Sequence, residues 1–345
     1  MLRLHTRIRR ATLLLILLAL SGLTACGAPD AVNVYSARQE ALIQPLLEKF
    51  TAETGIPVNL VTGNGDALLA RLENEGDNSP ADLFLTSDAG NLYRAQAKDL
   101  LQPVTSPALQ TGAPAHLRSD EYYWYGLSVR ARVLVYAAER VDAADLSDYT
   151  SLADPAWRGR ICVRSSGNIY NQSLVAGMLA TDGPAATATW LDGFVANFAR
   201  TPQGGDRDQI KAVAAGQCDV ALVNSYYLGG MLQSDNLEER EAAEQVTLFW
   251  PNQAGRGTHI NISGAGVTRA ASKPEAARQL MEFMLREESQ RWYAQVNNEF
   301  PVREGVEPSA LLQSWGSFKA DALNVSELGR LNAEAVKAMD RAGWK

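Results

Sequence analysis

The run Gly126-Leu-Ser-Val-Arg-Ala-Arg-Val-Leu-Val-Tyr136 decides more about the fold than any other segment. Its side chains alternate with a period of two, as an extended strand requires. It reads as a crossing from a first lobe into a second. Before it, strand and helix patterns alternate. Ala31–Tyr35 reads as a strand, followed by Leu42, Ile43, Leu46, Leu47 and Phe50 at helical spacing, with Pro45 in a first turn or at a kink. Pro57–Val61 is a second strand, a helix through Leu68, Leu69 and Leu72 ends at Gly76, and Asp82–Leu85 is a third strand. Such alternation implies a mostly parallel sheet with right-handed crossovers.

Beyond the crossing, Ile161–Val163 and Val220–Val223 read as strands, with helices after Tyr170 and around Trp190–Phe198. Between Phe249 and Gly266 the pattern thins into Pro, Asn, Gly and Thr, which suggests a return crossing. Helical segments at Pro274–Leu285, Glu287–Val296 and Val325–Met339 finish the chain. The expected division is 1–25 as a leader, 26–129 with 253–303 as the first lobe, and 130–252 with 304–345 as the second. Two α/β lobes joined by two crossings leave a cleft at the strand ends, where ligands bind in such sheets.

The leader carries Arg3, Arg7, Arg9 and Arg10, a short apolar core from Ala11 to Leu20, and Leu23-Thr24-Ala25-Cys26. This is an export signal ending in a cysteine. The tetrapeptide is similar to the lipobox of bacterial lipoproteins, which implies cleavage before Cys26 and a lipid anchor on it. An uncleaved signal anchor is the alternative, but the apolar stretch is short for a span of about 20 residues. Removing residues 1–25 takes four arginines and no acid from the 32 basic residues, leaving 28 against 39 acidic and a formal charge of −11. That surface argues against nucleic acid and anionic lipid as partners. With Cys26 lipidated, Cys162 and Cys218 remain, and an exported chain tends to pair them. A bridge would hold two long-separated segments together, worth roughly 3–4 kcal/mol by chain entropy. Two buried, unreactive thiols are the alternative.

Each cysteine stands eight residues before a tyrosine motif. Tyr170 lies in Arg164-Ser-Ser-Gly-Asn-Ile-Tyr-Asn-Gln-Ser173, and Tyr226 and Tyr227 end the run Asp219-Val-Ala-Leu-Val-Asn-Ser-Tyr-Tyr227. Phenolate is a hard anionic donor that suits a small, highly charged cation such as Fe(III). The same residues also fit half-buried packing aromatics. Enzyme signatures are missing. Histidine occurs only at 5, 116 and 259, and there is no His-Glu-x-x-His, Cys-x-x-Cys, nucleophile elbow or Walker loop. Gly63-Asn-Gly65 lacks the third glycine of a dinucleotide fingerprint, and Gly204-Gly-Asp-Arg-Asp208 reads as a turn into a helix capped by Asp206 or Asp208.

Together, Val34-Tyr-Ser-Ala-Arg38, Pro80-Ala-Asp-Leu-Phe84, Tyr170-Asn-Gln-Ser173, Gly204-Gly-Asp-Arg-Asp208, Asn224-Ser-Tyr-Tyr227 and Thr258-His-Ile-Asn-Ile-Ser-Gly264 resemble the periplasmic ferric-ion-binding proteins of ABC importers. The resemblance runs in order from about Val32 to Arg303. It implies an α/β, two-lobed, type II clam-shell, each lobe a mixed, mostly parallel sheet flanked by helices. It also implies that Tyr170, Tyr226 and Tyr227 of the second lobe hold Fe(III). An ABC permease and its ATPase would be the partners of a monomeric, extracytoplasmic, lipid-anchored carrier that is not an enzyme.

Two departures from the family pattern stand out. Many relatives have histidine after the Ser-x-Arg step, where this chain has Gln39 and Glu40, and some have glutamate where this one has Thr86-Ser87-Asp88. Relatives with glutamine there look like the subgroup completed by a carbonate-type anion. Arg38 and Gln39 could hold such an anion, with Arg130 as a further contact. For Arg38 the alternative is an ion pair at a turn, for Arg130 a surface salt bridge. Glu40 is a possible direct metal ligand. Tyr122, Tyr123, Trp124 and Tyr125 are expected to pack at the lobe junction, and His259 to be hydrogen-bonded in the return crossing. The rival readings are a clam-shell for another metal or a small oxyanion, and an exported hydrolase or lyase.

Overall fold

The computed structural model describes residues 31–345, so the leader and Cys26 lie outside the described residues. Its strands are β1 (Val32–Ser36), β2 (Val58–Thr62), β3 (Leu83–Thr86), β4 (Tyr125–Tyr136), β5 (Ile161–Cys162), β6 (Val220–Asn224), β7 (Thr247–Phe249) and β8 (Ile260–Val267). They connect in the order β2-β1-β3-β8-β4-β6-β5, with β7 on β4. The β1 pairs with β2 and β3 and the β5–β6 pair are parallel, whereas β8 and β4 run antiparallel to their neighbours.

The crossing strand β4 is buried along all twelve residues. Tyr125–Ala131 pairs with β8, and Arg132–Tyr136 pairs with β6. The change of partner falls between Ala131 and Arg132, so one continuous strand belongs to both sheets. Beyond that point its side chains alternate between two cores. Val133 and Val135 join the larger core built on β1, β3 and β8, while Leu134 and Tyr136 join a second core with Tyr149, Trp190 and Phe194. Strand β6 divides in the same way, Ala221 and Val223 against Val220 and Leu222.

The return crossing is a full strand rather than a thinning segment. Strand β8 is buried throughout, and its weak pattern has a steric cause. A Cβ on Gly264 would lie 2.6 Å from the Tyr125 carbonyl oxygen, and one on Gly266 would lie 2.6 Å from that of Tyr123. Small residues are needed where backbones approach this closely. The expected helix over Val325–Met339 divides into Ser326–Arg330 and Asn332–Arg341. The first piece packs on both the Ala89–Ala97 and Ile169–Ala196 helices, and the second packs on Ile169–Ala196. Trp124 and Tyr125 do not sit at a junction between the lobes. They are fully buried in the larger core, with the indole donating to Gln96 and the phenol to the Val104 carbonyl.

Cys162 and Cys218 are joined, with their Cα atoms 5.9 Å apart, which ties the end of β5 to the approach to β6. No helix among the described residues is long and apolar enough to cross a membrane. The Ile169–Ala196 helix is two helices meeting at Gly183, whose φ of 81° and ψ of 167° suit glycine alone. Pro184 favours this break by pushing the preceding residue out of helical geometry. Gly183→Ala meets no neighbouring atom within 4 Å, so its penalty is purely conformational. Urea denaturation is expected to register a loss of about 1–3 kcal/mol.

Candidate metal centre

Strand β6 ends at Asn224, and the Ser225–Leu232 helix begins at once, so Tyr226 and Tyr227 fall in its first turn. Tyr170 occupies the first turn of the Ile169–Ala196 helix, where the Asn168 side chain caps the Tyr170 amide. These two helix starts converge. The Tyr226 hydroxyl donates to the Tyr170 oxygen at 3.3 Å, and the rings of Tyr226 and Tyr227 lie 4.3 Å apart. Residues 56 positions apart in sequence thus present phenols to one point, at helix ends whose partial positive charge favours anions.

Guanidinium groups lie beneath the phenols. The Arg130 carbon Cζ lies 5.1 Å from the Tyr170 ring centre and 5.7 Å from that of Tyr226, and Arg164 lies 5.5 Å from Tyr170. Arg130 is 2% exposed, which removes the surface salt-bridge alternative. It donates one bond to the Ile262 carbonyl at 3.0 Å, and its Nε and Nη1 are buried without partners. Behind it, Arg132 donates to Asp206 at 2.8 Å and to Asn171 at 2.6 Å. The fully buried Asp206 also accepts from the Asn224 amide at 2.8 Å and from Arg164 at 3.4 Å. Asp206 is therefore not a helix cap. Gly205 holds that position, and the Asp208 carboxylate accepts from its amide.

This charge distribution separates the three phenols. Burial pushes Tyr170 up, but the Arg130 charge and hydrogen bonds from Tyr226 and Ser87 outweigh it and hold Tyr170 below the ordinary tyrosine value. Burial raises Tyr226 well above that value, reinforced by Tyr170 and Tyr227. Burial, Tyr170 and Asp206 push Tyr227 up to about 12. Without a cation, Tyr170 is the phenol that ionises first. Tyr226 and Tyr227 need added positive charge to ionise.

The three tyrosines open into a cavity of ≈ 410 Å³ with Arg38, Gln39 and Arg130 also in its wall. The Arg38 fork is already occupied, because both terminal nitrogens bond Glu299, at 3.0 and 3.1 Å, and only Nε is left unpartnered. Ser263 and Ser128 complete the shell of Glu299. Gln39 is exposed at the rim, and the exposed Glu40 is not among the lining residues. His259 is buried, with its backbone amide donating to the Tyr149 hydroxyl. Burial and the charges of Arg256, Arg132 and Arg130 push its imidazole down to about 3, so it remains neutral. Among the described residues no cluster of three or more His, Cys, Asp or Glu could hold a metal. Glu299 escaped sequence reasoning, since an isolated acid in a loop carries no signal of the arginine it meets in the fold, and in the sequence Asp206 reads only as a helix cap. A wider groove of ≈ 650 Å³ beside Arg200, Lys211 and Glu238 lies away from the tyrosines.

Across the cavity, Asn298 bears on the tyrosine helix. Its side-chain amide donates to Gln233 at 3.0 Å, and a Cβ on Gly229 would lie 2.8 Å from its Cβ and Cγ.

A family model described as bacterial extracellular solute-binding protein matches residues 46–320. Iron uptake protein A1 of Synechocystis sp. is 46% identical over 335 residues, covering 94% of this chain and 93% of that protein. The Fe(3+)-binding periplasmic protein of Serratia marcescens is 28% identical, covering 93% of each. Among solved structures, Trichodesmium IdiA (FutA) in complex with iron and citrate ligands superposes with a TM-score of 0.89 at 49% identity. The match spans 91% of this chain and 100% of that one.

Gly229→Ala is expected to lift Asn298 from its seat and open the cleft, raising the radius of gyration in small-angle scattering. Adding Asn298→Gly removes the clashing atoms at a residue whose φ of 54° already suits glycine, and should restore the compact form.

Proposed function

The chain belongs to the bacterial extracellular solute-binding proteins, among the ferric-ion-binding components of ABC importers, and we propose that it captures Fe(III) through the phenolates of Tyr170, Tyr226 and Tyr227. It acts in transport and not as an enzyme. The observation that carries the ligand assignment is the convergence of the Tyr170 and Tyr226 oxygens at 3.3 Å above a buried guanidinium. Fe(III) is a hard cation, and three phenolates balance its charge. Tyr170 is the most easily ionised of the three, and the metal must still draw the protons from Tyr226 and Tyr227.

The shell is completed by an oxyanion, carbonate or a carboxylate. Arg130 is its best contact, because its Nε and Nη1 are buried and free. Gln39 assists from the rim, and Arg38 can offer only Nε while Glu299 holds its fork. Glu40, exposed and outside the lining, is a poor candidate for the metal. The lobes are drawn as 26–129 with 253–303 and 130–252 with 304–345, the tyrosines belonging to the second. The Leu23-Thr24-Ala25-Cys26 box supports export and a lipid tether, and an oxidising compartment suits the Cys162–Cys218 pair. Closure around iron would create a composite surface for the permease to distinguish from the empty carrier.

A second reading, a small-oxyanion cargo without metal, is favoured by the same unpartnered nitrogens of Arg130. Calorimetry with metal-free protein and inorganic phosphate or carbonate separates the two. On the iron reading, Fe(III) added to the protein from Cys26 onward produces a visible phenolate charge-transfer band, and Tyr226→Phe shifts or abolishes it. A colourless iron titration would sink the assignment.

The proton coupling has a definite sign. Tyr226 and Tyr227 are raised, so both are protonated in the metal-free protein at neutral pH and must lose protons on binding. Iron affinity should therefore fall on acidification, by at least about two log units per pH unit, one for each proton displaced from Tyr226 and Tyr227 and a further one wherever Tyr170 is also protonated. Competition against a chelator between about pH 6 and 8, corrected for the chelator's own protonation, measures that slope.

A further inference from the structure

Asp88 is buried at 1% exposure, yet it forms no salt bridge with any of the described residues. An unpaired buried carboxylate is expensive and calls for a structural reason. Its oxygens accept four hydrogen bonds from three donor groups in three parts of the chain. Oδ1 takes the Gly90 amide at 2.7 Å, capping the Ala89–Ala97 helix. Oδ2 takes the Asn261 side-chain amide at 2.8 Å, from the return strand β8. The Ser173 hydroxyl reaches both oxygens, at 3.2 and 3.0 Å. Asn261 in turn accepts from the Ala89 amide at 3.0 Å, so the turn after β3 is held from two directions.

Ser173 belongs to the helix that carries Tyr170, three residues further on. Residues at that spacing share a helix face. The starts of the two helices abut, since a Cβ on Gly90 would lie 3.7 Å from the Ile169 Cδ1 atom. Two helix N-termini brought together repel, and a carboxylate between them offsets their partial charges. Ser87, next to Asp88, lines the cavity with Tyr170.

We infer that Asp88 is a positioning residue for iron capture, which holds the Tyr170 turn from the opposite half of the molecule through Ser173. Among the described residues the first half offers the metal no cluster of acids or imidazoles. Its contribution is to fix where a ligand of the other half stands. This inference rests on Tyr170 being a ligand, and its test keeps the two claims apart.

The test compares Fe(III) affinity, by chelator competition, and the phenolate band in the mature full-length chain and in Ser173→Ala, with Asp88→Asn as a second variant. Loss of one hydrogen bond to a charged group should weaken iron binding by about ten- to a hundredfold and move the band maximum. In a Tyr170→Phe background the same Ser173→Ala change should alter affinity by less than about twofold, because the residue it acts through is gone. An equal loss in both backgrounds would mean a general structural role and overturn the inference. So would unchanged binding and an unmoved band in Ser173→Ala and Asp88→Asn. If the unsubstituted chain develops no band at all, the ligand assignment fails instead.

Discussion

The ion pair between Arg132 and Asp206 is the contact on which the rest of this architecture turns. It lies where β4 leaves one sheet for the other, and it fixes the end of β6 through the Asn224 amide. Both partners are essentially dry, so withdrawing Asp206 would leave the Arg132 charge buried without an acid, and withdrawing Arg132 would leave Asp206 only the longer ion pair to Arg164. The pair also governs what lies above it. With Asp206 committed to Arg132, Arg130 is left as a cation with spare donors beneath the tyrosines. A site that gathers phenols needs such a floor, because burial alone would keep every one of them protonated.

The two crossing strands give the molecule its mechanical character. Because β4 is continuous through both sheets, the halves are joined there by extended backbone rather than by a flexible linker. Alternate side chains of β4 and β6 feed separate cores, and the larger core takes β4 residues from both sides of Ala131–Arg132. Among the contacts across the cleft, Asn298 on Gly229 and Asp88 on Ser173 are the best defined.

Much of this was legible in the residues. The strands β1, β2, β3, β4 and β6 lie within two residues of the segments their alternation marks, because apolar side chains on a buried sheet leave a period that survives in sequence. Strand β8 was obscured by its own packing, since Ser263, Gly264 and Gly266 are small where neighbouring backbones press in. Chemistry followed the same rule. Paired tyrosines advertise themselves, whereas Asp206 reads as an ordinary cap until the fold brings Arg132 to it. Arg38 illustrates the converse. Its neighbours suggested a free fork for an anion, and only the fold reveals Glu299, 261 residues away, already holding it. Pairings across such separations leave no local trace.

The first described strand, β1, is the second member of its sheet and sits deep in the larger core, with the Ala31 carbonyl held by Lys273. Any leash attached upstream of Val32 therefore pulls on the half that lacks the tyrosines. Were the chain tethered through Cys26, that half would be the stator and the tyrosine-bearing half the one free to swing. Cargo would then ride on the moving part, which gives a tethered carrier reach without letting go of its membrane.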